Sequence, residues 1–220
     1  MLPVLTKLQI DKISIAPDRP LLISDVDEVI VHFVRDFEDF LGSKGLRFAV
    51  SGFHLTGDSV TAADGTTLSQ DQTLGLVSQF FDERTEFMSP IESAVSSLVA
   101  MADVAQVVLL TNLPIEAGDA RRRNMKALGL PFPVITNTGP KGPAIRLLAS
   151  KTRQPVAFVD DSPGFLKSSF EYAPHVTTVH FLQDERFLPH APDLEFLGLR
   201  SNNWTETGAF LKLKLNGKQP

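Results

Sequence analysis

A chain of 220 residues, 43% hydrophobic and 21% charged, has enough apolar surface for one medium domain plus an insertion, with no low-complexity run and no internal repeat. A net charge of −5 and a pI near 5.5 argue against a general nucleic-acid binder, and the one basic cluster, at 121–123, is too short to reverse that. The lack of cysteine excludes disulfides, thiolate metal sites and a cysteine nucleophile. No apolar stretch approaches a membrane span, and residues 1–20 carry charges and prolines where a secretion signal needs an apolar core. The chain therefore reads as soluble and cytoplasmic.

In chain order, residues 8–16 place apolar side chains near period two and read as an extra edge strand. The run Leu21, Leu22, Ile23 behind Pro20 reads as a buried strand of a parallel sheet. It delivers two carboxylates, Asp25 and Asp27, at its end. Side chains at i and i+2 of a strand share a side, so both acids are expected to face one pocket. Carboxylates that close repel unless a cation or a shared proton relieves them.

From Phe33 the period changes. Phe33, Val34, Phe37, Phe40 and Leu41 recur at helical spacing, with Gly42 and Gly45 as stops. Leu46, Phe48 and Val50 alternate as in a half-buried strand, and a turn at Asp64-Gly65 suggests a hairpin. Ser69 and Gln72 have capping-box form before Leu74, Val77, Phe80 and Phe81. This block, 33–88, interrupts a βα alternation that resumes at Ser89-Pro90-Ile91-Glu92, which reads as a helix start capped by Ser89. Four apolar runs follow, at 104–110, 133–136, 156–159 and 176–182, separated by amphipathic stretches near 117–128, 142–149 and 163–172. The alternation predicts an α/β fold with a parallel sheet and helices on both faces. Residues 184–192 read as proline-rich loop, and 203–215 fit either a helix or a strand.

Each later strand run ends in polar residues: Thr111-Asn112, then Lys141 opening a helix, then Asp160-Asp161-Ser162 ahead of Pro163. Taken singly, these are a turn, a solvated lysine and a helix cap. If the alternation holds, all of them meet Asp25 and Asp27 at one sheet edge, where ligands of open α/β sheets bind. Four carboxylates, a hydroxyl, an amide and one ammonium suit the joint binding of a divalent cation and a phosphate dianion.

The order Asp25-x-Asp27, Thr111, Lys141, Asp160-Asp161 resembles the four motifs of the haloacid-dehalogenase-like (HAD) hydrolase superfamily. The resemblance implies a Rossmann-like core at 1–32 and 89–220 with a small cap domain inserted at 33–88, between the first and second motifs. It departs at Glu28, where the family's commonest form has Gly, which puts in doubt the turn after the nucleophile. By resemblance Asp25 is the nucleophile that forms an aspartyl-phosphate, and Asp27 is the general acid and then base, its proton affinity raised by neighbouring carboxylates. Mg²⁺ is expected on Asp25, the backbone carbonyl of Asp27, Asp160 and Asp161, the last directly or through water. Thr111, Lys141 and the backbone of Asn112 are expected to bind phosphate.

Dehalogenases on the same scaffold lack the second Asp, because no leaving oxygen needs a proton, so Asp27 points to a phosphatase of a small-molecule phosphate monoester. A catalytically silent Mg²⁺- and phosphate-binding interaction domain is the alternative, and a loose likeness to the deoxyribonucleotidase branch is a narrower one. A phospho-acceptor receiver domain gathers similar residues in a different chain order. In the insert, His54, Arg84, Lys44 and Arg47 are the polar candidates for substrate contact, with solvated roles as the default for each. The basic residues at 121–123 are read as a solvated helix face.

Overall fold

The computed structural model describes residues 1–53, 56 and 59–217. The central run forms β1 (Leu21–Ser24), whose four residues are all buried. It is flanked by β4 (Gln106–Thr111) on one side and β6 (Val156–Asp160) on the other. With β5 (Val134–Thr136), β7 (Thr177–Phe181) and β8 (Leu199–Ser201), they make one six-stranded sheet in the order β5-β4-β1-β6-β7-β8, parallel throughout. The chain runs outward from β1 in both directions, so the switch point, where open sheets leave a crevice, lies at the carboxyl end of β1.

Both faces of this sheet are covered. Alternate residues of β1 feed two separate cores: Leu21 and Ile23 join one, and Leu22 the other. The first core is closed by α1 (Val4–Lys12), α6 (Gly142–Ala149) and α7 (Pro163–Tyr172). The second is closed by α4 (Ala94–Met101), α5 (Gly118–Ala127) and α8 (Trp204–Leu215). The 203–215 segment is thus a helix, with Asn203 accepting from the Glu206 amide as its N-cap. Its Trp204 is fully buried and donates to the carbonyl of Val29 at 2.7 Å, pinning the loop that follows β1.

The amino-terminal reading is corrected. Residues 4–12 form a helix rather than an edge strand, because Thr6, Gln9 and Ile10 fall on one face at helical spacing. Ile10 is buried, while Thr6 and Gln9 bond the backbone of Thr136 at 3.0–3.2 Å, which satisfies the outer edge of β5. Ser89 does not cap a helix either. The amide of His32 donates to Ser89 O and the amide of Ile91 to Ile30 O, so 89–91 pairs with 30–32. The next helix begins only at Ala94, after Ser93 in a left-handed conformation. This pairing clamps the two ends of the 33–88 block to each other. The segment read as loop contains a 3₁₀ turn at Glu185–His190.

The block itself contains α2 (Phe33–Gly42), the antiparallel pair β2 (Leu46–Phe48) and β3 (Val60–Ala62), and α3 (Gln70–Arg84). Asp64-Gly65 does turn the chain, with the Thr61–Thr67 bridge beyond it and Gly65 at φ 85°. Ser69 and Gln72 form the reciprocal capping box. Phe33, Phe37, Phe40, Phe80 and Phe81 pack ring against ring, with centroids 5.4–6.2 Å apart, joining α2 to α3.

Candidate active site

Four strand ends bring the sequence-predicted residues together. Asp25 follows β1 directly, Thr111 and Asp160 are the last residues of β4 and β6, and Lys141 precedes α6 after β5. The amide of Asp25 donates to Val159 O at 2.9 Å, which holds the acid level with β6. Lys141 is fully buried between two acids, with Nζ 2.8 Å from Asp25 Oδ2 and 2.7 Å from Asp160 Oδ2. Its place is set by close packing of the next residue. A Cβ on Gly142 would lie 2.2 Å from Ser168 O, so only glycine lets α6 approach α7 this tightly.

Asp25, Asp160 and Asp161 each offer an oxygen within 4.8 Å of the others. Burial pushes the Asp25 carboxyl up to about 7; Lys141 opposes the rise, and Asp160 and Asp27 add to it. Asp161 is pushed well above the usual range by burial and by Asp160, Asp25 and Glu28. Asp160 is likewise raised by burial, against Lys141. Burial pulls Lys141 down, but Asp160 and Asp25 outweigh it, so its net direction is upward and it stays an ammonium. One ammonium facing three carboxylates leaves negative charge over. Buried oxygen ligands with that surplus fit a hard divalent cation, which relieves the strain that protonation would otherwise relieve.

Asp27 is separate from this group. The strand stops at Ser24, so i/i+2 alternation does not orient it. The chain instead turns through 26–31, with the amides of Ile30 and Val31 both donating to Val26 O. Asp27 and Asp25 line the same cavity, as expected, but bond to different partners. Asp27 Oδ2 accepts from the Thr111 hydroxyl at 3.0 Å, and Oδ1 is bonded by the Arg121 guanidinium. Its hydrogen-bonding partners are therefore a hydroxyl and a cation, while Asp25 and Glu28 stand close enough to feel its charge.

Arg121 corrects the sequence reading. It is fully buried, not solvated, and it also donates to Asn124 at 3.3 Å and meets Met88 Sδ at 3.3 Å. The signal was helical phase. Arg121 lies on the stripe with Ala117, Gly118, Asn124 and Met125, whereas Arg122 and Arg123 leave it for Asp119 and Glu86 at the surface.

Two more residues shape the site without having been singled out for it. Glu28 sits at φ 59°, the left-handed region that favours glycine. It tolerates that position because its carboxylate accepts from the Val34 amide at 2.8 Å, at the start of α2. Burial raises its carboxyl to about 7, against the hydrogen bonds from Val34 and Phe33. His180 is buried on β7 with Nε2 2.9 Å from Asp161 O, while Nδ1 accepts from Arg200 at 3.2 Å. The Arg200 donor fixes the tautomer with the proton on Nε2, so the neutral ring holds the Asp161 backbone; burial lowers it to about 4.

Asn112 uses its side chain structurally. Its Nδ2 donates to Gly139 O at 2.8 Å and its Oδ1 accepts from Asn137 at 2.9 Å, bracing the loop that carries Lys141. Lys44, Arg47 and Arg84 are exposed and do not line the cavity above Asp25. His54 lies outside the described residues.

No protein-family model matches the chain, and no curated protein matches its sequence. Solved structures do. A haloacid dehalogenase-like family hydrolase from Streptococcus pneumoniae superposes with a TM-score of 0.61 at 12% identity, covering 88% of this chain and 98% of that one. The fold is that of the HAD-like hydrolases. YfnB from Bacillus subtilis, solved with magnesium bound, gives 0.59 at 13% identity over 88% of this chain and 99% of its own. A HAD family hydrolase from Deinococcus radiodurans, with bound phosphate and sodium, gives 0.57 at 16% over 94% and 100%. L-2-haloacid dehalogenases share the HAD-like fold with this chain at TM-scores of 0.55 and 0.54. At such identities the likeness is one of backbone, so the chemistry rests on the side chains above. No helix among the described residues is long and apolar enough to cross a membrane.

Proposed function

We propose that the protein is a Mg²⁺-dependent phosphatase that hydrolyses a small-molecule phosphate monoester through an aspartyl-phosphate on Asp25. The observation that carries this is the division of labour between two acids two residues apart. Asp25 lies against Lys141 and beside Asp160 and Asp161, and Asp27 is turned to Thr111 and Arg121. A departing halide needs no proton, so a second acid held beside the nucleophile is superfluous to a dehalogenase. An ester oxygen needs one.

In this reading Asp25 attacks phosphorus and the P–O bond to the alcohol breaks. Asp27 gives its proton to the leaving oxygen; it then takes one from the water that attacks the acyl phosphate, returning Asp25 and releasing phosphate. Arg121 fixes the Asp27 carboxyl for both transfers, and Thr111, which bonds Asp27 before substrate enters, turns its one proton to the phosphoryl group. Lys141 orients the attacking oxygen and offsets charge on the phosphoryl group, the largest part of catalysis in this chemistry. Thr111 and the backbone of Asn112 donate to the phosphoryl oxygens. Asp25, Asp160 and Asp161, with the Asp27 carbonyl, would hold Mg²⁺, which supplies charge neutralisation at the nucleophile and the phosphate when bound. The 33–88 block acts as a cap that shields the site from water.

The test is hydrolysis of an aryl phosphate with and without Mg²⁺, with Asp25→Asn alongside. Turnover that requires Mg²⁺ and vanishes in the variant is expected. Equal rates for the two proteins would refute the assignment.

A further inference from the structure

Above Asp25 opens a cavity of about 470 Å³, within the size range of small-molecule sites. Its floor is acidic, formed by Asp25, Asp27, Glu28 and Asp161, and its walls are aromatic. Phe33 and Phe81 come from the insert's ring cluster, Phe48 of β2 packs on that cluster at Phe37 with centroids 5.8 Å apart, and Phe165 comes from α7 of the core. Phe53 of the insert packs on Phe187 of the 3₁₀ turn with centroids 5.3 Å apart, joining the insert to the core at the rim. Leu74 and Val77 continue the wall along α3, on the stripe that includes Phe81, while Thr73 and Phe80 turn inward.

Charge sharpens the picture. Lys141 is the cation next to Asp25, and it is already matched by Asp25 in the floor and Asp160 beneath it. Among the described residues that line the cavity there is no Lys, Arg or His. A second phosphate or a carboxylate on the substrate would lie between phenyl rings and beside Glu28. It would lose hydration, gain no counter-charge from the described lining and meet a nearby acid. An alkyl or aryl group would displace water from the rings instead.

Resting on the phosphatase reading, we infer that the substrate is the phosphate ester of an apolar alcohol, aliphatic or aromatic, carrying no anionic group besides the phosphate. The cavity selects by apolar burial on the leaving-group side and by offering a second anion no cation among its described lining residues.

The test compares kcat/KM for ethyl, butyl, hexyl and 2-phenylethyl phosphate with that for glycerol 3-phosphate and 2-phosphoglycolate, all in Mg²⁺. Every leaving oxygen is aliphatic, so intrinsic lability varies little and the chain contacts dominate. The expected result is a rise of about fourfold per methylene buried, placing hexyl and phenylethyl phosphate at least 100-fold above phosphoglycolate. Leu74→Arg, at a half-exposed wall position, should narrow that ratio at least tenfold by supplying a counter-charge. Phosphoglycolate or glycerol 3-phosphate equal to or better than the phenylethyl ester would overturn the inference. Binding of 2-phenylethylphosphonate and phosphonoacetate to the intact protein reads the cavity without turnover. Tighter binding of the phenylethyl compound sustains the inference even if no ester is hydrolysed, a result that would sink only the phosphatase reading. Equal or reversed affinities would sink the inference itself.

Discussion

Glu28 carries a consequence for stability that can be worked through. Its carboxyl is 6% exposed and is raised from an ordinary 4.5 to about 7, with burial as the main cause. Below pH 4.5 the folded and unfolded chains both hold this proton, and the group leaves their balance unchanged. Between 4.5 and 7 the unfolded chain releases the proton while the folded chain keeps it, so stability falls as pH rises. Above 7 the loss is complete. At about 1.4 kcal/mol per pH unit across that interval it reaches ~3 kcal/mol. Glu28→Gln keeps an acceptor for the Val34 amide and removes the charge. Its melting temperature should match wild type near pH 4 and exceed it at pH 8 by on the order of 10 °C, taking about 2–4 °C per kcal/mol for a chain of this size. Thermal denaturation of both proteins in chelator across pH 4–8 measures this. The raised carboxyls of Asp25, Asp160 and Asp161 are common to both, so the difference isolates position 28 and its repulsion of Asp161. A melting difference that stays flat with pH would refute the reasoning.

Arg121→Met should lower stability by about 3 kcal/mol, the low end for breaking a buried ion pair because Asp27 keeps 15% exposure, as read by urea denaturation. It should also lower kcat by roughly 10²–10⁴ with KM nearly unchanged, since Asp27 loses its orientation; partial rescue by Arg121→Lys would separate lost charge from a collapsed fold. Mg²⁺ at a hundred times its Kd at pH 8 should stabilise the protein by about 2.7 kcal/mol there, the same concentration should give less at pH 5 because the protonated carboxyls compete with it, and Asp161→Asn should abolish most of the gain in calorimetry. Gly142→Ala should be destabilising by about 1–3 kcal/mol, because its Cβ meets the Ser168 carbonyl, and should slow turnover by shifting Lys141 next door; unchanged kinetics and melting would mean α6 is free to move.

Strand–helix alternation was readable because parallel strands are continuous apolar runs, and their ends announced themselves as Asp25, Thr111, Lys141 and Asp160. Local chemistry was also readable: the Ser69 capping box and the Asp64-Gly65 turn depend on neighbours in sequence. Period alone misled at the amino terminus, where the pattern at 8–16 hid the helical stripe of Thr6, Gln9 and Ile10. At Ser89 a cap signature was overridden by pairing with residues nearly sixty positions earlier.

The sequence by itself determined which groups arrive at the sheet's carboxyl edge, because strand order and connection handedness constrain where each strand end lies. Tertiary structure alone decided how those groups divide. Whether Asp27 faces carboxylates or a guanidinium depends on α5 packing Arg121 inward beside Met88, and whether Glu28 is strained or braced depends on where α2 begins. Electrostatic partners a few ångströms apart and more than a hundred residues distant leave no local trace, and burial sets the proton affinity of the acids they meet.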